Sequence, residues 1–375
     1  MPERESSRAV PEAVVHYPNR SREPEHETAV HRALAQRIAA LLGIEFIGQY
    51  RPGERYAQRL YVVPSGTLVG REQAQALGLA SELDLFGGLV PEPFIETKAI
   101  THPLIGPQAS APRGWSHAFT DRVADSVLPG FTAFSLADAR EAGLRLLEHG
   151  AARLKPVRAT GGRGQVTFKN RDELEQALQA LDTHELAACG LVLEDNLEHV
   201  TTFSVGQVRV GGQIATYYGT QRLSPDNRGE QVYGGSDLVV VRGGFDALLD
   251  IELPERTRLA VSQAQAYDEA AIACYPGLLA SRRNYDIAEG MDGEGQPRSG
   301  VLEQSWRIGG ASSAEIAALE AFAADPGLRA VQASSLELYG SQAEPPPGAT
   351  VLFRGEDAEV GFITKCATVK PHDDL

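Results

Sequence analysis

Two stretches of this chain bring together residue types that can grip an anion and a metal ion. From Arg153 to Phe168 the sequence reads RLKPVRATGGRGQVTF, with Lys155 closing an apolar strand and Gly161, Gly162 and Gly164 in the hairpin that follows. Phosphate groups are held by converging backbone N–H groups with no side chains in the way, together with a compact cation; glycine and lysine supply these. The run is not a P-loop, because no GK[ST] closes it. Nor is it the dinucleotide fingerprint, since GGRG lacks the wider glycine spacing and no helix follows directly. Taken alone, it equally fits a glycine-rich hairpin with an incidental lysine.

The second stretch, NYDIAEGMDGEGQPRSGVLEQSWRIGGASSAE, carries Asp286 and Glu303 on two strands joined by a turn. Magnesium takes hard oxygen ligands and is commonly held by one or two carboxylates plus substrate phosphates. Side chains alternate along a strand, so Glu303, Ser305 and Arg307 share one face and Gln304 takes the other. Two carboxylates, a hydroxyl and a guanidinium in one cleft make a metal–phosphate surface. Asp292 and Glu294 lie in the turn and read as solvated charge. Glu303 is flanked by Val301, Leu302 and Trp306 and needs a partner, which a metal or an arginine would supply.

The elements that must carry these residues follow from periodicity. AVVHY (13–17) reads as a strand, and Glu25–Leu42 as a helix with Ala29, Leu34, Ile38 and Leu41 at helical spacing, stopped by Gly43. IEFIGQY, LYVVPS, a helix near 71–79 and LDLFGGLVP continue the alternation, which predicts a parallel α/β domain. Residues 117–150 read as mainly helical, with Ser135 as an N-cap. ARLKPV, QVTFKN, LVLEDNL, the run TTFSVGQVRVGGQIATYYGTQRL and DLVVVRGG read as strands, and 171–181 and 255–273 as helices. ASSAEIAALEAFAADP is a helix closed by Pro326, followed by a proline-rich link and a strand-like tail.

The chain's 375 residues suffice for two or three domains. Its formal charge of −15 argues against a general nucleic-acid binder, because no basic excess is available to displace counterions. Cys189, Cys274 and Cys366 are widely spaced, which fits neither a disulfide framework nor a zinc site and suits a reducing, cytoplasmic location. His102, His117 and His199 are scattered, and Cys274 reads as core. The N-terminal residues lack an apolar signal region, and no stretch approaches the roughly 20 apolar residues of a membrane span.

In order and spacing, residues 117–313 resemble the ATP-grasp superfamily. Lys155-Pro156 matches its strand lysine, which contacts nucleotide phosphates, and Gly161, Gly162 and Gly164 match its flap. Arg122, in FTDRVAD, stands where the family has its first basic residue. Glu194, in LVLEDNL, matches the hinge beside adenine, with Glu198 as the nearest ribose contact. Asp286 and Glu303 match the two metal carboxylates. Ser305 replaces the usual asparagine, and Thr202 replaces a glutamate common before the strand carrying FSV. The whole chain also resembles an uncharacterised bacterial family defined only as a domain of unknown function.

The resemblance implies an N-terminal parallel α/β, pre-ATP-grasp-like domain (13–115) after a disordered segment (1–12). An ATP-grasp fold of two α+β subdomains (116–195 and 196–325) and a C-terminal extension (326–375) would follow. It implies ATP with Mg2+ or Mn2+ as cofactors and a ligase that activates a carboxylate as an acylphosphate for an amine or thiol. A kinase on the same fold and a non-catalytic nucleotide-binding regulator are the alternatives. Lys155 and Arg122 would hold phosphates, Asp286, Glu303 and Ser305 the metal, and Arg307 or Arg283 the charge of the transferred group. Substrates would be small carboxylates and nucleophiles. Arg222, Arg228 and Arg242, with Tyr217, Tyr218 and Tyr233, are candidates to line their pocket. Neither nucleic acid nor membrane is an expected partner, and the resemblance admits a homodimer.

Overall fold

The computed structural model of the protein describes residues 10–158 and 164–372, so Gly161 and Gly162 lie outside the described residues. The chain opens with β1 (Ala13–Tyr17), α1 (Glu25–Leu42), β2 (Glu45–Gln49) and β3 (Leu60–Pro64). The three strands form a parallel sheet in the order β2-β1-β3. Helix α1 buries Leu34, Ala35, Ile38 and Ala39, and Gly43 ends it in the left-handed conformation (φ 68°), returning its N–H to carbonyls of the last turn. The small strands β4 (Leu68–Val69) and β5 (Gly88–Val90) flank α2 (Arg71–Ala76).

The next unit runs α3 (His117–Val123), β6 (Gly130–Ala133), α4 (Leu136–Leu146), β7 (Ala152–Pro156), β8 (Val166–Phe168), α5 (Arg171–Gln179), α6 (Thr183–Cys189) and β9 (Leu191–Asp195). Its four strands make an antiparallel sheet in the order β6-β9-β7-β8. Ser135 caps α4, accepting from the Asp138 N–H at 3.1 Å. The expectation of a mainly helical 117–150 misses β6. A four-residue strand shows too little alternation to be read, and it is held in place by pairing with distant β9.

The last unit holds β10 (Glu198–Val210), β11 (Gln213–Pro225), β12 (Gln231–Arg242), α7 (Phe245–Leu249), α8 (Glu255–Cys274), β13 (Leu279–Ala280), β14 (Arg282–Met291) and β15 (Pro297–Ser305). It closes with α9 (Ser312–Ala324), β16 (Ala330–Tyr339), β17 (Thr350–Asp357) and β18 (Gly361–Pro371). An eight-stranded antiparallel sheet runs β15-β14-β10-β11-β12-β16-β18-β17. The tail expected as an extension thus contributes three strands to the same sheet, joined through β16 to β12.

One face of this sheet packs Val205, Tyr285, Ile287 and Val301 against Tyr267 and other residues of α8. The opposite face packs Tyr217, Leu238 and Val240 against α9, whose other side meets α1. That position, between a sheet and a helix, explains why α9 is apolar almost all round. The segment leading into β6 meets the large sheet where Val127 bridges Val301. There Gly300 lets the chains touch, because a Cβ on it would lie 2.5 Å from the Leu128 nitrogen. Residues 195–198 carry the chain from β9 into β10. Among the described residues no helix is long and apolar enough to cross a membrane.

Candidate nucleotide and metal site

The β14–β15 register sets Asp286 directly opposite Glu303 and Asn284 opposite Ser305, all on the face that also carries Arg282. Asp286 Oδ1 accepts three bonds of 3.1 Å, from Ser204 Oγ, Gln221 Nε2 and Asn284 Nδ2. Burial and the adjacent Glu303 charge nevertheless push its carboxyl above the usual range. Glu303 is half-buried and pairs with the ammonium of Lys98, a buried residue of the N-terminal unit, at 2.6 Å. Gln304, on the other face, is buried and donates to the Ile95 and Thr97 carbonyls. Two carboxylates therefore converge with one oxygen edge fixed by donors, an arrangement suited to a hard divalent ion.

Arg307 follows directly on β15. Its Nη1 donates to the Ile308 carbonyl at 3.0 Å, and among the described residues no carboxylate forms an ion pair with it. Burial, with Arg20 and Arg282 close by, lowers its guanidinium to about 10. The Glu27 and Glu303 carboxylates act in the opposite sense without outweighing burial and the two cations. Arg282 is already satisfied: its guanidinium reaches Glu315 at 2.7 Å and donates to the Arg307 carbonyl at 2.8 Å and to Ser305 Oγ at 3.3 Å. Tyr217 donates to Glu315 at 2.6 Å, locking α9 to the sheet beneath the site.

Lys155 lies on β7 and is buried against Glu194 of β9, with which it forms an ion pair. The other Glu194 oxygen lies 3.1 Å from His102 Nε2. Burial opposes ionisation of Glu194, but the Lys155 ammonium and His102 outweigh it and hold the carboxyl down to about 2. The expected phosphate lysine and hinge carboxylate are thus brought together as a buried pair. Gly164 takes the left-handed conformation (φ 68°).

Other expected residues fall elsewhere. Arg283 is not beside Arg307: it points to the opposite face of β14 and pairs with Asp268 of α8 at 3.0 Å. The reason is parity, since Arg283 and Asp286 are an odd number of residues apart on one strand. Arg122 is exposed in the last turn of α3, and Glu198 is exposed at the start of β10. Arg242 bonds the carbonyls of Phe322, Asp325 and Leu328 and so caps the end of α9 instead of lining a pocket. Arg222 pairs with Asp237. Tyr218 lies on the α8 face, and Tyr217 is fully buried.

Sequence reasoning missed Lys98, Arg20, Arg282, Asn284 and Glu315. Only Glu315 carried a signal: a carboxylate among the apolar residues of ASSAEIAALEAF implies a buried partner.

The sequence model of one protein family matches residues 14–367, nearly the whole chain. The chain belongs to DUF3182, a family described only as proteins of unknown function. No curated protein matches the DUF3182 chain by sequence. Its fold is nonetheless that of ATP-grasp enzymes. N5-carboxyaminoimidazole synthetase from Staphylococcus aureus, solved with ADP, superposes with a TM-score of 0.52 at 12% identity, covering 98% of this chain and 94% of that one. Biotin carboxylase from Campylobacter jejuni, solved as a beta-gamma-ATP complex, gives 0.50 at 13% identity, covering 96% and 88%.

Proposed function

We propose that this DUF3182 protein is an ATP- and magnesium-dependent ligase that activates a small carboxylate as an acylphosphate for attack by an amine or thiol. The reading rests on one juxtaposition: the Asp286–Glu303 pair on one face of β14–β15, with the Arg307 guanidinium, which no described carboxylate engages in an ion pair, two residues beyond the end of β15. Lys155 would hold phosphate oxygens, with the flap around Gly161, Gly162 and Gly164 closing over them. Arg122 would add charge from α3, and Glu194 and Glu198 would border the base and ribose. Asp286 and Glu303 would hold the metal. Ser305 Oγ already accepts from Arg282, and the carboxamide of this face comes from Asn284 directly across from it. Bound magnesium would supply charge neutralisation between the phosphates.

Phosphoryl transfer of this kind needs positioning and charge stabilisation more than covalent help from the protein. Arg307 would take the carboxylate substrate or the transferred phosphoryl group, and the Arg282–Glu315 pair would position it through the Arg307 carbonyl. Arg283, buried on the other face, has no part in the step.

The test is thermal stability with ATP, ADP, GTP or no nucleotide, with and without magnesium, followed by ADP release across carboxylates offered with and without amines and thiols. A native-state ligand must raise the melting point by mass action. A rise that needs both ATP and magnesium, with ADP release that needs both substrates, supports the ligase. No rise at millimolar nucleotide overturns it.

A further inference from the structure

Apart from the sheet that carries the nucleotide site, the N-terminal unit holds an unexplained cluster. His16 is the penultimate residue of the central strand β1, Glu23 lies in the loop after it, and His31 sits nearly two turns into α1. One candidate ligand atom from each lies within 4.8 Å of the other two. His16 is 2% exposed, and the side chains of Glu23 and His31 are each 6% exposed. His31 Nδ1 is bonded to Glu23 Oε1, but Glu23 Oε2 and His16 Nε2 are buried without any partner. Two orphaned polar atoms in one small buried cluster carry a real desolvation cost, and such groups call for a ligand.

We propose that His16, Glu23 and His31 form a binding site for a first-row divalent transition metal of the zinc class. Two imidazole nitrogens and one carboxylate are the donor set such ions favour, whereas magnesium prefers oxygen alone. Three protein ligands leave one coordination position open. The cluster sits at the carboxyl end of the central strand of the β2-β1-β3 sheet, the crevice where open parallel sheets place ligands. Binding the ion needs both imidazoles neutral and the Glu23 carboxylate ionised. This site is separate from the Asp286–Glu303 pair and stands or falls independently of the ligase reading.

The experiment uses the full chain, free of any histidine tag and treated with chelator, titrated with Zn2+ and with Co2+ in calorimetry and visible absorption. Expected are one ion per chain and the intense visible bands of a four-coordinate cobalt site, without a thiolate charge-transfer band. His16→Gln and Glu23→Gln should keep the metal-free melting point and lose affinity by at least about tenfold. If one variant fails to fold, the other decides. Asp286→Asn should leave the affinity unchanged. Absence of stoichiometric binding would overturn the proposal, as would full affinity in the His16 and Glu23 variants or displacement of cobalt by equimolar magnesium.

Discussion

Asp286 and Glu303 face each other across β14 and β15, and burial together with the charge of Glu303 raises the carboxyl pKa of Asp286. Lys98 offsets the Glu303 charge from the side. Repulsion between the two carboxylates is what a bound cation would relieve, and it leads to the first prediction.

Asp286→Asn should stabilise the metal-free protein by about 1 kcal/mol while abolishing any magnesium-dependent rise in melting point with ATP. All three donors to Asp286 use Oδ1, so the amide oxygen keeps them. Paired thermal melts with and without magnesium–ATP check both halves. A destabilised apo protein that still responds to magnesium would place the metal elsewhere.

Lys155→Ala should abolish nucleotide binding, but it also leaves Glu194 buried without its ammonium and should cost roughly 3–5 kcal/mol. Lys155→Met combined with Glu194→Gln should recover much of that stability without restoring the nucleotide-dependent rise. The double-mutant cycle separates the two roles of the lysine. Nucleotide binding regained in the double variant would remove Lys155 from the phosphate site.

Acid should weaken the fold through Glu194. Its folded pKa of about 2 lies below the ordinary glutamate value of 4.5, so its stabilisation is complete above that value and is lost as pH falls toward 2. The contribution is on the order of 3 kcal/mol. Denaturant melts from pH 6 down to pH 2 should show this loss in the wild type and a shallower one in Glu194→Gln. Parallel curves would mean that other carboxylates govern acid unfolding.

Arg307→Met should stabilise the ligand-free protein, because it removes a cation crowded by Arg20 and Arg282, and should abolish substrate-dependent ADP release while leaving nucleotide binding within a few-fold. With its pKa lowered to about 10, Arg307 is charged below that value and loses its hold on an anion as pH rises through it. Turnover should therefore decline above about pH 10. Unaltered ADP release in the methionine variant would exclude Arg307 from the reaction.

Glu315→Gln should cost roughly 3–5 kcal/mol, since it leaves the fully buried Arg282 guanidinium uncompensated. Glu315→Leu with Arg282→Met should be far milder. Urea unfolding of the single and double variants tests this. A double-variant loss equal to the sum of the two single-variant losses would mean that Arg282 and Glu315 act independently.

Local patterning within the chain was enough to mark candidate residues. Alternation along one strand places Glu303 and Ser305 on a common face, and the helix over Glu25–Leu42 with its Gly43 stop follows from spacing alone. The same rule, carried from Asp286 back along β14, would have set Arg283 on the opposite face from the carboxylates. Lysine after an apolar strand and glycines in a turn were equally plain. What a periodic pattern carries is the neighbourhood of a residue on its own element.

Tertiary structure alone decided which charges meet. Lys98 reaches Glu303, His102 and Lys155 converge on Glu194, and Arg282 finds Glu315, each joining elements far apart in sequence. The short strand β6 and the union of β16 with β12 depend likewise on partners that no local window contains. The His16, Glu23 and His31 cluster has no spacing signature, because it combines a strand end, a loop and a helix face. Such contacts follow from how faces pack, and packing is a property of the folded chain as a whole.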